Sequence, residues 1–188
     1  MALDRCRGDA VAFLDADDEW APTHLSTLAA CLDRGHALAV AAVEIWDDAA
    51  GRRTAVHGMH PEWLAAPRDA LFAASIIHTA SGVALQRALI DRVGRFDTEM
   101  PIGQDRDYWF RALADGGTLG FTGCCTVRHH RHSGNSTRDP RAVLASIRRF
   151  HEKHRAAADV GDAARRRARA SVLAALLTLS RGEEASCS

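Results

Sequence analysis

The stretch from Val11 to Trp20, VAFLDADDEW, constrains this chain more than any other, because four apolar residues run straight into Asp15, Asp17, Asp18 and Glu19. Val11 to Leu14 reads as a short buried strand stopped by acidic turn formers. Carboxylates crowded at a strand tip repel one another unless they face open water or have a cation among them. A hard divalent ion such as Mg²⁺ or Mn²⁺ takes oxygen ligands, often only one or two from the protein, and open α/β sheets bind ligands at the carboxyl ends of strands. The plainer alternative is that Asp17, Asp18 and Glu19 favour the N-terminus of a helix beginning near Pro22.

The pattern that follows is α/β in character. Leu25, Leu28, Ala29 and Leu32 keep one helical face apolar until Gly35, and Ala37 to Trp46, ALAVAAVEIW, is a second buried strand. The segment Asp47 to Arg53, with Gly51, predicts a hairpin turn. From His57 to Pro67 the chain lacks periodicity and reads as a loop, followed by a short helix over Ala70 to Ala74. Extended chain is expected from Ser75 to Gln86, a helical turn or two from Arg87 to Val93, and a helix from about Asp105 to Ala114. Thr118 to His130 predicts one or two strands, Ser133 to Asp139 a polar turn, and helix prevails from Pro140 onward. These elements make an α/β chain with C-terminal helices, divided into residues 1–138 and a helical extension, 139–188.

At 188 residues, with 47% hydrophobic and 26% charged, the chain is of globular composition and can bury a sizeable core. Its 24 basic residues balance 24 acidic ones, so no global field recommends nucleic acid or an anionic membrane as partner. Five cysteines without a CxxC pair argue against a disulfide framework or zinc knuckle. No signal-peptide h-region opens the sequence, and the apolar run Val172 to Leu177 is too short to span a bilayer. A cytoplasmic chain is expected, with peripheral membrane contact left open. The basic cluster Arg165, Arg166, Arg167 and Arg169 reads as a solvated helix face.

Two further stretches carry chemistry. In GQDRDYWFR, Asp105 sits where a loop enters a helix whose aromatic residues anchor it, available as a general base or as a simple N-cap, while Asp107 falls in the first turn, favoured by the helix dipole. In RHHRHSGNS, cationic groups before a glycine turn suit a diphosphate, and neutral His132 can complete a metal shell. As a strand, this stretch would place His130 and His132 on one face and Arg131 on the other. A charged edge strand with its solvated turn is the plainer alternative.

The succession FLDADDEWAPTHL, ASGVALQRALIDRVGRFD, GQDRDYWFR and VRHHRHSGNS resembles the later part of a family 2 glycosyltransferase, from about Gly8 to Ser136. The resemblance implies a partial GT-A fold, a Rossmann-like mixed sheet, and transfer of a sugar with inversion from a nucleotide-diphosphate donor, assisted by Mg²⁺ or Mn²⁺, to a glycan, lipid or small-molecule hydroxyl. Asp15 and Asp17 match the DxD pair and Asp18 the acidic residue after it. One of Asp17 and Asp18 is implied as a direct metal ligand, and another of the three as a contact to the donor ribose. Asp105 inherits the catalytic-base role, with Gln104 replacing the acidic residue that precedes it in the family pattern. His132 is implied as a contact to the metal or diphosphate.

The family pattern opens with earlier strand-helix units that bind the nucleotide base, and Ala2 to Ala10 resembles the tail of the helix leading into the DxD strand. The expectation is of an N-terminally truncated chain, poorly stable or inactive without a partner that supplies the missing part. The competing function is a noncatalytic remnant that binds a partner or a nucleotide sugar. A His-rich metal module unrelated to sugars would use the third stretch alone.

Overall fold

A computed structural model describes residues 3–132, 134, 139–157 and 159–186, with side chains of the last helix described through Ala174 and at Leu176. Six strands form one mixed sheet: β1 (Ala10–Ala12), β2 (Glu19–Trp20), β3 (Leu38–Asp47), β4 (Arg52–His57), β5 (Val83–Gln86) and β6 (Leu119–Arg131). The helices are α1 (His24–Asp33), α2 (Pro61–Ala65), α3 (Pro67–Ala73), α4 (Arg87–Val93), α5 (Gln104–Ala114), α6 (Pro140–Lys153) and α7 (Asp162–Ser186).

The strand order is β1-β5-β3-β6-β2. β3 pairs antiparallel with β5 through Leu38–Val40 and with β4 through Val43–Asp47, and parallel with β6 along its other side. Parallel pairing needs a long crossover, which the helical segment between β3 and β6 supplies. The result is the mixed α/β sheet of a partial GT-A, Rossmann-like fold.

Strand parity distributes the core to both faces. Leu38 and Val40 face a large cluster with Leu71, Phe72, Leu85, Trp109 and Phe110, whereas Ala39, Ala41, Val43 and Ile45 face a smaller one with Leu28, Cys31 and Leu32 of α1. Phe150 of α6 and Ala164 and Ala168 of α7 belong to the large cluster, so the C-terminal helices dock on the sheet's helical layer.

Several local expectations need correction. β1 ends at Ala12, and Leu14 is 51% exposed, because the chain turns out of the sheet to form the acidic turn. The segment His57 to Pro67 is not wholly loop: Pro61, preset for a first helical turn, opens the five-residue α2. β2, two residues long, exists through its pairing with Val127 and Arg128. β6 is one continuous strand whose register against β3 shifts around Ala42, with Gly123 at φ 74° in the displaced segment. The polar turn expected over 133–139 lies, apart from Gly134 and Asp139, outside the described residues. Asp139 caps α6 by accepting the Arg141 N–H at 2.9 Å. Among the described residues, no helix is long and apolar enough to cross a membrane.

Candidate active site

β1 delivers the acidic turn to the sheet's edge, where it is tied to the turn before β5. The Asp15 N–H donates to Ser81 Oγ (3.0 Å), the Asp18 N–H to the Asp15 carbonyl (3.2 Å), and Trp20 Nε1 to the Ser81 carbonyl (2.8 Å). Thr79 Oγ1 lies 3.2 Å from Asp15 Oδ2 and 2.9 Å from Asp18 Oδ2, so one hydroxyl proton serves two carboxylates.

The three aspartates then diverge. Asp18 turns inward: Oδ1 meets His129 Nδ1 at 2.8 Å and the His130 N–H at 3.3 Å, while Oδ2 faces Thr79. Burial pushes its carboxyl up, but hydrogen bonds from His129, Ser81 and Thr79 outweigh that and leave it below the ordinary value. The same bond to Asp18 raises the His129 imidazole against the opposing effect of burial. Asp15, exposed at the turn, is raised by partial desolvation first and by the charges of Asp18 and Asp17 after it, with Thr79 opposing.

Asp17 faces outward, its Oδ2 2.9 Å from His132 Nε2. His132 Nδ1 accepts the Gly134 N–H at 3.0 Å, so in the neutral ring the proton sits on Nε2 and donates to Asp17. β6 ends at Arg131, so the strand alternation does not extend to His132, and the His130 ring bonds Asp48 Oδ1 at 2.6 Å rather than Asp17. Among the described residues, no three His, Cys, Asp or Glu side chains converge as a ready-made metal cage.

A cavity of about 440 Å³ opens beside this turn. Asp15, Asp17, Thr79 and His129 line it together with Gly103, Gln104 and Asp105; Asp18 does not. Asp105 stands in the first turn of α5, its Oδ1 accepting the Arg106 N–H at 2.7 Å. Burial raises its carboxyl, the backbone bonds lower it, and the charge of Asp15 raises it further.

Asp105 is held from below by its neighbours. Arg106 donates to the carbonyls of Leu71 (2.8 Å) and Phe72 (3.0 Å) and lies over the Phe150 ring at 4.2 Å, where desolvation brings its guanidinium down to about 10. Tyr108, Trp109 and Phe110 are fully buried. Asp107 is also buried, meeting Arg111 Nε at 2.9 Å and both Lys153 Nζ and His154 Nε2 at 2.8 Å, so it joins α5 to α6 rather than serving only the helix dipole. Before the helix, Gly103 adopts φ 75°, and a Cβ there would lie 2.7 Å from Ser146 Oγ, which itself bonds the Ile102 carbonyl at 2.6 Å.

Sequence reading singled out Asp15, Asp17 and Asp105, which the fold brings to one cavity, and His132, which it brings to Asp17. It missed His129, whose signal was the histidine run, and Thr79 and Ser81, which carried none beyond small residues in an extended stretch. The family model described as glycosyl transferase family 2 matches residues 1–94, half of the chain. The chain belongs to glycosyl transferase family 2, and membership suggests glycosyl transfer in general as its class of activity. The match contains the Asp15–Asp18 turn, Thr79 and Ser81, while Asp105 and His132 lie beyond it. A search of curated proteins returns no match.

Proposed function

We propose that the chain is the catalytic portion of a metal-assisted, inverting glycosyltransferase that moves a sugar from a nucleoside-diphosphate donor to an acceptor hydroxyl. In this reading residues 1–138 form the transferase domain and 139–188 a helical extension. One observation carries it: Asp15 and Asp17, from the turn after β1, and Asp105, from the start of α5, line the same cavity. Inversion by single displacement needs the leaving diphosphate and the attacking hydroxyl on opposite sides of the anomeric carbon, each with its own protein groups.

Asp105 serves as the base. Its Oδ1 is committed to the Arg106 N–H, and the carboxylate, raised by burial, accepts the proton of the incoming hydroxyl. Asp17 fits a hard divalent ion, which keeps only one or two protein ligands and fills its shell with phosphate and water, and His132, whose Nε2–H bonds Asp17 and whose Nδ1 accepts the Gly134 N–H, would orient that carboxylate instead of ligating the ion. Mg²⁺ or Mn²⁺ held there would neutralise charge building on the departing diphosphate. Asp15, on the same wall, is placed for the donor ribose. Asp18, with both oxygens bonded, positions the turn and His129 instead of reaching the cavity.

Gln104 lines the cavity where the family resemblance implies an acidic residue, and this favours a second reading in which the chain binds the donor without turning it over. The two separate in one series: calorimetric titration of UDP, then GDP, with and without Mn²⁺, into the wild type, Asp17→Ala and Asp105→Asn, followed by nucleoside-diphosphate release from the corresponding sugars. The transferase reading expects Mn²⁺-dependent binding, at least about tenfold weaker in Asp17→Ala, and release about 100-fold or more slower in Asp105→Asn with binding retained. Binding without release in the wild type selects the second reading, and no binding by a folded chain overturns both.

A further inference from the structure

The basic run of α7 is not simply a solvated face. Between α6 and α7 lies a second cavity of about 520 Å³, sharing no lining residue with the one that holds Asp105. Phe72, Ala168, Val172 and Leu173 line it together with Arg148, Arg155, Arg165 and Arg169, and no carboxylate is among the lining residues.

Arg165 has an evident structural task. It donates to the carbonyls of Arg155, Ala157 and Val160 and lies over the Phe72 ring at 5.3 Å. Arg148, Arg155 and Arg169 are exposed and meet no acidic side chain among the described residues, whereas Arg68, Arg92, Arg111 and Arg128 each pair with one. Leu173, beside them, is 60% exposed.

Three unpaired cations around an apolar hollow specify an occupant with both an anionic and an apolar part. A nucleic acid would satisfy the arginines and leave Val172 and Leu173 in water, and an apolar helix would strip water from the arginines without replacing it. We propose that this cleft seats the chain on an anionic lipid surface. Arg148, Arg155 and Arg169 meet phospholipid phosphates, and Val172 and Leu173 enter the layer beneath the headgroups. The contact is peripheral, and it holds whether or not the chain transfers sugar, because none of these residues lines the other cavity.

The test is co-sedimentation of the full chain with phosphatidylcholine vesicles and with vesicles in which phosphatidylglycerol replaces part of that lipid. Binding is expected to the anionic vesicles only. Each guanidinium near such a surface contributes about fivefold, so the combined Arg148→Ala, Arg155→Ala, Arg169→Ala variant is expected to bind about 100-fold more weakly. Leu173→Asp, a single substitution at a side chain 60% exposed, is expected to weaken binding as well. Equal binding to neutral vesicles, unchanged binding by the triple variant, or full binding by Leu173→Asp would each overturn the proposal. So would release from anionic vesicles by inorganic phosphate at constant ionic strength, which would mark a site for free anions.

Discussion

Replacing Asp107 by Asn tests how the helix that carries Asp105 is held. The carboxylate is wholly buried among Arg111, Lys153 and His154, whose side chains are 25%, 32% and 12% exposed. Removing one member of a buried ion pair costs about 3–5 kcal/mol when the remaining charge is stranded. Here the cations can partly rehydrate, and Lys153 keeps Asp97 at 2.6 Å, so the low end applies, about 3 kcal/mol. For a chain of this size that lowers the melting temperature by about 6–12 °C.

The pH dependence adds a second readout. Desolvation works to raise the Asp107 carboxyl, but bonds from His154, Lys153 and Arg111 overcome it and hold it far below its usual value of 3.8. A carboxyl depressed by folding stabilises fully above its unfolded value, and that contribution is lost as pH falls through the unfolded value toward the folded one. Thermal melts followed by circular dichroism should therefore show a gap between wild type and Asp107→Asn that is constant near neutrality and narrows below about pH 4. A gap under about 1 kcal/mol at pH 7, or one that persists unchanged in acid, would refute the reasoning.

Two further perturbations follow from the same geometry. Gly103→Ala forces a side chain into φ 75° and against Ser146, and is expected to cost about 1–2 kcal/mol and to slow nucleoside-diphosphate release more than it weakens UDP or GDP binding, measured by urea melts and the titrations above. His24 is buried, stacked on Trp20 at 4.5 Å, and desolvation lowers its imidazole from 6.5 to about 4. A histidine depressed by folding loses stability as pH falls from its unfolded value to its folded one, so His24→Phe should flatten the stability profile between pH 6.5 and about 4; an unchanged slope would count against a neutral buried ring.

What could be read from the sequence was what local pattern encodes. The switch from apolar to acidic at Asp15 located the turn after β1, and Gly103 with the aromatic run after it located α5 to within a residue. What escaped depends on partners distant in the chain. Asp17 and Asp18 are neighbours with the same charge, yet one meets His132 beyond the end of β6 and the other His129 within it, partners that the spacing of the acidic turn does not announce. Asp107 looked like a helix-dipole residue because Lys153 ends α6 and His154 follows it, and no spacing within α5 announces them. α2 was hidden because five residues are too few to display a helical period.

The place of β3 at the sheet's centre has a consequence for how the chain reaches this fold. Its apolar residues are made before α5, but the strand that covers its long parallel side, β6, is made only after it. Until then β3 presents an open, β-branched ladder edge, the kind of surface on which nascent chains associate with one another. Slow closure of this non-local pairing should make refolding yield fall with protein concentration and recover with chaperone, even where the finished fold is secure.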